Sequence, residues 1–253
     1  MNAIDLNCDL GESFGRYAMG LDDQVIPLVS SVNIACGMHA GDPSVMRKTV
    51  RMAARAGIAI GAHPGYPDLQ GFGRRDMNLS PDEAYSFVLY QIGALAGFCA
   101  AEGADLHHVK PHGQLYNRAA TDRALADAIA AAVRDFDSKL VLVGLSGSCL
   151  IEAGETTGLR CANEFFADRN YTDQGVLAPR SLPNATLTDE AFAVKRAVRA
   201  VREGTIESIT GKTIRISADT ICTHGDNERA LEFVRELRRA LEKSDVQIKP
   251  IGS

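Results

Sequence analysis

Short apolar runs alternate with amphipathic stretches along nearly the whole chain, and this alternation constrains the fold more than any other feature. Strand-like runs fall at residues 3–10, 31–36, 58–62, 108–111, 140–145, 160–166 and 220–223. Between them the apolar period changes from about 2 to about 3.6 residues, the spacing of a helix face. Asp42-Pro43 opens one helix, with proline at the first helical position, and Gly57 closes it. Ser80-Pro81-Asp82-Glu83 forms a capping box for a helix that runs to about Glu102 and stops at Gly103. Further helices are expected over residues 121–136, 189–203 and 227–242. Residues 207–209 and 213–216 flank Thr210-Gly211-Lys212 and read as a short hairpin.

Alternating strands and helices imply a largely parallel sheet covered by its crossovers. An open doubly wound sheet and a closed barrel both satisfy this, and a chain of 253 residues suits either. No Pro/Ser-rich linker, internal repeat or low-complexity segment divides the sequence. The expectation is one barrel over residues 1–253, an irregular TIM-like (β/α) barrel. The reason is where the polar residues fall: at the ends of most strands, which a barrel brings together and an open sheet spreads apart.

The first run is Asp5-Leu6-Asn7-Cys8-Asp9-Leu10-Gly11-Glu12. Period-two spacing puts Asp5, Asn7 and Asp9 on one face and Leu6, Cys8 and Leu10 on the other. A solvated edge strand would explain the polar face, but a helical crossover follows, which favours a central strand whose carboxylates need buried partners. His39 follows an apolar run in a glycine-flanked turn, where backbone can approach a ligand closely, and Asp42 beside it reads as a helix cap. His63 leads into the long loop Pro64-Gly65-Tyr66-Pro67-Asp68 and on to Arg74 and Arg75, candidates for an anionic group or plain surface charges. Lys110 and His112 share a face, and a lysine among apolar neighbours is seldom structural. His107 and His108, just before them, are expected at the surface. Glu164 sits in an aromatic strand, with Asp168 and Arg169 after it, and His224 and Asp226 share a face after the last strand. Four of the six histidines, His39, His63, His112 and His224, thus fall at strand ends beside glycine.

Other chemistries are not supported. Gly211-Lys212-Thr213 resembles a P-loop end, but the required first glycine is Ile206. Gly71-Phe72-Gly73 lacks the third glycine of a dinucleotide site, where Asp76 stands, and Ser148 replaces the last glycine of a nucleophile elbow around Ser146. HExxH is absent. A formal charge of -5 and a pI near 5.7 disfavour nucleic acid or an anionic membrane as main partner. The first residues lack a basic region followed by an apolar run, and the apolar stretch at residues 92–101 is short for a bilayer and amphipathic. The six cysteines include no CxxC pair and read as reduced, buried thiols, so a cytoplasmic location is expected.

Together the motifs resemble the LamB/YcsF family. The resemblance is carried by residues 5–12 (DLNCDLGE), 33–43 (NIACGMHAGDP), 61–75 (GAHPGYPDLQGFGRR), 109–117 (VKPHGQLYN), 164–171 (EFFADRNY), 177–180 (LAPR) and 221–226 (ICTHGD). Departures fall at Val32, Gln114, Phe165, Ala178 and Thr223, none of them a His, Lys or acidic candidate. The resemblance implies a barrel similar to that of polysaccharide deacetylases. It also implies ATP-dependent opening of 5-oxo-L-proline to L-glutamate, in a complex with partner subunits B and C. ATP is then a co-substrate, and the missing P-loop leaves both this chain and a partner open as the place where it binds with magnesium. On this reading Asp9, Lys110, His112 and Glu164 are the expected catalytic set: Lys110 supplies positive charge, and His112 or Asp9 acts as base. Asn7, Glu12, His39, His63, Arg75, Arg169 and His224 are expected to bind substrate. Asp9, His39, His63 and His224 are candidates for a divalent metal. Two alternatives stand beside it: a metal-dependent amide hydrolase or deacetylase that needs no ATP, and a non-catalytic subunit that binds the substrate.

Overall fold

The computed structural model describes residues 2–223 and 228–252; His224 and Asp226, both singled out above, lie outside them. The strands are β1 (Asn2–Leu10), β2 (Ser31–Ala35), β3 (Ala59–His63), β4 (Leu106–Val109), β5 (Val141–Leu145), β6 (Arg160–Phe166), β7 (Thr205–Glu207), β8 (Thr213–Arg215), β9 (Thr220–Thr223) and β10 (Val246–Ile248). The helices are α1 (Asp22–Val25), α2 (Pro43–Ala56), α3 (Pro81–Ala101), α4 (Gly113–Ala119), α5 (Arg123–Phe136), α6 (Cys149–Thr156), α7 (Glu190–Glu203) and α8 (Glu228–Lys243).

The sheet closes into an irregular TIM-like barrel, as the placement of the motifs implied. Seven parallel strands run in the order β1-β2-β3-β4-β5-β6-β9, and β9 pairs back onto β1 through Asp5↔Thr220 to Cys8↔Thr223. β10 adds to the start of β1, with Ile4 opposite Ile248. β7 and β8 form the expected antiparallel hairpin outside the barrel.

Local chemistry explains the crossovers. The Asp42 carboxylate accepts hydrogen bonds from the Ser44 and Val45 amides, and Gly57 ends α2 in the left-handed region. Both halves of the Ser80/Glu83 capping box form at the start of α3. This helix is 21 residues long and apolar enough to cross a bilayer by length and composition, longer than the apolar stretch alone suggested. It packs between α2 and α5 and against β3, as a covering helix of the barrel does. The strand at residues 108–111 begins two residues earlier and ends at Val109, so Lys110 and His112 lie just past its end.

Strand alternation divides the interior. Leu6, Cys8, Val32, Ile34, Ile60, Ala62, Val109 and Phe165 face outward into the core beneath the helices. Asp5, Asn7, Ser31, Asn33, His108 and Thr220 point the other way, into the barrel, and all are buried. His108, expected at the surface, is fully buried. Its Nε2–H donates to Asn33 Oδ1 at 2.8 Å, and its ring fills the space left by Gly61, where a Cβ would stand 2.1 Å from Nε2. At the barrel base Asp5 accepts from the hydroxyls of Ser30, Ser31 and Thr220 at 2.6, 2.8 and 2.5 Å. Burial still pushes its carboxyl up to about 6, against those hydrogen bonds.

Two outcomes follow from this interior. A rise in Asp5 from 3.8 to about 6 corresponds to roughly 3 kcal/mol. The folded state holds the proton more tightly, so this contribution is full below pH 3.8 and is lost as pH rises through about 6. Wild type should therefore lose roughly 2–2.5 kcal/mol relative to Asp5→Asn between pH 4 and pH 7 in denaturant unfolding; a difference that does not vary with pH contradicts the assignment. Gly61→Ala should destabilise by about 2 kcal/mol or more. Adding His108→Ala should recover much of the steric part, giving strongly non-additive losses in a double-mutant cycle.

Candidate active site

The polar column inside the barrel rises from Asp5 to the mouth, and each layer fixes the next. Asn7 donates through Nδ2 to Thr220 Oγ1 at 2.7 Å and to Glu164 Oε1 at 3.0 Å. Its Oδ1 accepts from Asn33 Nδ2 at 2.7 Å and from Lys110 Nζ at 3.2 Å. Above it, Asp9 Oδ1 accepts from Asn33 Nδ2 at 2.8 Å and from Lys110 Nζ at 2.9 Å. The Lys110 ammonium also meets Glu164 Oε1 at 2.8 Å and Cys222 Sγ at 3.2 Å. Burial alone would lower its proton affinity, but Asp9, Cys222 and Glu164 outweigh that and hold it well above the ordinary lysine value. Lys110 is therefore a charged group with only 2% of its side chain exposed, bracketed by two carboxylates.

The mouth is built by three loops. His39 comes from the β2–α2 turn, His63 from the end of β3, and His112 caps α4. The His39 and His112 rings stack with centroids 3.7 Å apart and planes 2° apart, and His63 meets both edge-on. Burial holds His39 well below the ordinary histidine value and His112 at about 3, and the neighbouring imidazoles add to both effects. The long loop after β3 closes over them. The Gln114 amide donates to the Gly73 carbonyl at 2.9 Å, and Phe72 packs edge-on against His39 and His112. Glycines permit this density: a Cβ on Gly65 would stand 2.5 Å from His39 Nδ1, and one on Gly73 would stand 2.9 Å from both His39 and His112. Glu12 completes the rim, with Oε1 3.8 Å from His39 Nε2 and from His112 Nδ1.

Eight of the expected site residues therefore converge: Asn7, Asp9, Glu12, His39, His63, Lys110, His112 and Glu164. Arg75 is instead tied to Asp68 by an ion pair, and its guanidinium is largely exposed. Arg169 is buried and donates to the carbonyls of Ala178 and Ala185, holding the loop after β6 rather than entering the histidine cluster. Five further residues belong to the site or its support: Asn33, His108, Thr220, Cys222 and Tyr116. Asn33 and His108 were legible by the same alternation that selected Asn7 and Lys110. Tyr116 carried no such signal; it lies on α4, buried close enough to Glu164 for that carboxylate to add to the burial that pushes its phenol up.

Beside the mouth lies a cavity of about 350 Å³ lined by Arg74, Arg180 and Arg229, with Asp168, Glu190 and Thr188. Arg74 connects it to the histidines, its guanidinium lying 5.1 Å from the centre of the Phe72 ring. Burial lowers the proton affinity of Arg169 nearby, and the charges of Arg180 and Arg74 also act against it. The cavity wall thus mixes three arginines with two carboxylates, and Arg229 is paired with Glu190.

The comparisons with known proteins agree with this geometry. The sequence profile of the LamB/YcsF family matches residues 4–253. The chain is 59% identical over 249 residues to a Tolumonas auensis protein named as the A subunit of 5-oxoprolinase, covering 98% of this chain and 99% of that one. It is 54% identical over 252 residues to the Bacillus subtilis protein of the same name, covering 100% and 98%. The solved structure of a lactam utilization protein from Thermus thermophilus superposes with a TM-score of 0.92 at 50% identity, over 98% of this chain and 99% of that one. With the barrel, the polar column and a full-length match in hand, the chain belongs to the LamB/YcsF family.

Proposed function

We propose that this chain is the ring-opening component of an ATP-dependent 5-oxoprolinase, acting with partner subunits B and C. The observation that carries the reading is the full-length similarity to proteins named as the A subunit of 5-oxoprolinase, joined to a barrel mouth where Asp9 and Glu12 are the accessible acids. Their side chains are 14% and 12% exposed, whereas Lys110 and Glu164 beneath them are almost fully enclosed.

The chemistry asks for activation. A lactam carbon is a poor electrophile. Transfer of the γ-phosphoryl group of ATP to the lactam oxygen, with release of ADP, makes that carbon open to water. In this proposal ATP is bound by a partner. Water adds to the ring carbon and gives up a proton to Asp9. The ring C–N bond then breaks as the nitrogen takes a proton, and a second water hydrolyses the resulting acyl phosphate to glutamate and phosphate. Lys110 and Asn33 fix Asp9 Oδ1 from below, so Lys110 acts as a positioning charge that keeps Asp9 aimed. The cavity lined by Arg74 and Arg180 is suited to the phosphoryl group. Reduced cysteines throughout the chain support a cytoplasmic location.

The direct test measures ADP and glutamate release from 5-oxoproline by this chain alone and then with both partners. Turnover is expected only in the assembled complex. Activity of the chain alone without ATP points to a simple amide hydrolase, and ligand binding without turnover of the phosphorylated intermediate points to a purely binding role. Asp9→Asn should lower kcat at least about 100-fold with little change in KM. Lys110→Ala should abolish turnover in the complex, and full activity in that variant overturns the assignment. Arg74→Ala should raise KM by about tenfold while leaving the unfolding midpoint near wild type, since the side chain is exposed.

A further inference from the structure

The imidazoles at the barrel mouth turn ring nitrogens toward one another while backbone carbonyls hold the outer edges of two of them. His63 Nδ1 lies 2.7 Å from the Lys110 carbonyl and His112 Nε2 lies 2.9 Å from the Phe72 carbonyl. A carbonyl oxygen only accepts, so both ring nitrogens must carry hydrogen. The second nitrogen of each ring is left to face inward. These two, His63 Nε2 and His112 Nδ1, face each other at 3.0 Å. Asp9 Oδ2, an acceptor, is 3.2 Å from His63 Nε2, and Glu12 Oε1 is 3.8 Å from His112 Nδ1 and from His39 Nε2. His39 is 1% exposed, and neither ring nitrogen makes a hydrogen bond with any of the described residues. Burying such a ring without partners costs about 1–3 kcal/mol.

For His63 and His112, an inward-pointing nitrogen backed by an outer nitrogen on a carbonyl is the arrangement of metal-ligating histidines. One ligand atom from each of Glu12, His39, His63 and His112 lies within 4.8 Å of all the others. Four ligands at about 2.0–2.1 Å around a tetrahedral ion stand about 3.3 Å apart, and because the His39 and His112 planes are parallel within 2°, one of these two rings must turn out of the stack for both lone pairs to meet one ion. The backbone also bears a cost to aim one of the outer carbonyls. Phe72 sits at φ 55°, in the left-handed region that a bulky residue rarely adopts, and its carbonyl is the one that fixes the His112 tautomer.

We infer that Glu12, His39, His63 and His112 form a binding site for a single divalent transition-metal ion of the zinc type, with Asp9 at its edge. Three imidazoles and one carboxylate select such an ion over magnesium or calcium, which favour all-oxygen sites. The site is a property of this chain alone and holds whichever reaction the complex performs.

The test uses the full chain, stripped with a chelator and titrated with zinc chloride by calorimetry, with thermal unfolding in parallel. Binding of one equivalent and a higher unfolding midpoint are expected. Cobalt(II) in place of zinc should give the visible absorption of a four-coordinate site. Glu12→Gln, a conservative change at a partly exposed position, and His63→Ala should each weaken zinc by about 100-fold or more. His107→Ala, outside the cluster, should bind as wild type. Absence of binding in the wild-type chain, or undiminished affinity in both Glu12→Gln and His63→Ala, overturns the site. Neither readout uses 5-oxoproline turnover, so loss of the metal site and loss of the ring-opening assignment are separate results.

Discussion

The Lys110 ammonium, enclosed in the middle of a barrel, is the interaction on which the remaining architecture depends. An isolated buried charge is prohibitively costly. This one is tolerated because Asp9, Glu164 and the Asn7 amide oxygen surround it at 2.8–3.2 Å. Those partners come from β1 and β6, while Lys110 itself follows β4. Only a closed barrel brings these three strands to one axis. The ion cluster and the closure are therefore one requirement seen from two sides.

Satisfaction then propagates downward and upward. Below, Asn7 and Asn33 each use both ends of their amides, which passes orientation from Lys110 to Thr220, to His108 and finally to Asp5. Such a network is worth having only if it is complete, because in a low-dielectric interior each unpaired member is costly. Above, Asp9 turns its second oxygen to His63, and the histidine layer begins. In this layer neither ring nitrogen of His39 has a hydrogen-bond partner among the described residues. The column is not fully saturated, since Glu164 Oε2 and the Tyr116 hydroxyl have no hydrogen-bond partner among the described residues, and the histidine layer above it is the part of the interior suited to chemistry.

Much of this was legible in the chain. Period-two spacing alone separated Asp5, Asn7 and Asp9 from Leu6, Cys8 and Leu10, and the same rule applied one strand over picks out Ser31 and Asn33. His108 shows how the reading fails. Placed at the very start of its strand, it is expected at the surface. Once the strand is found to start at Leu106, His108 falls on the inward face two residues before Lys110. Strand ends are weakly encoded, because the hydrogen bonds that define them come from neighbours distant in sequence. Arg75 failed for a different reason. Two adjacent arginines in one loop are equivalent until the turn is known, and the turn gives Arg75 to Asp68 and Arg74 to the cavity.

The sequence by itself determined the strand–helix alternation, the helix caps, the parallel architecture and the face on which each strand carries its polar side chains. These follow from local rules: backbone periodicity, cap chemistry and the cost of burying unpaired polar groups. Tertiary structure alone decided which polar faces meet, which tautomers the histidines adopt, and that Lys110 lies beneath Asp9 instead of at the rim. Those outcomes depend on register and on carbonyls supplied by remote loops, such as that of Phe72 to His112. No window of sequence contains both partners of such a contact.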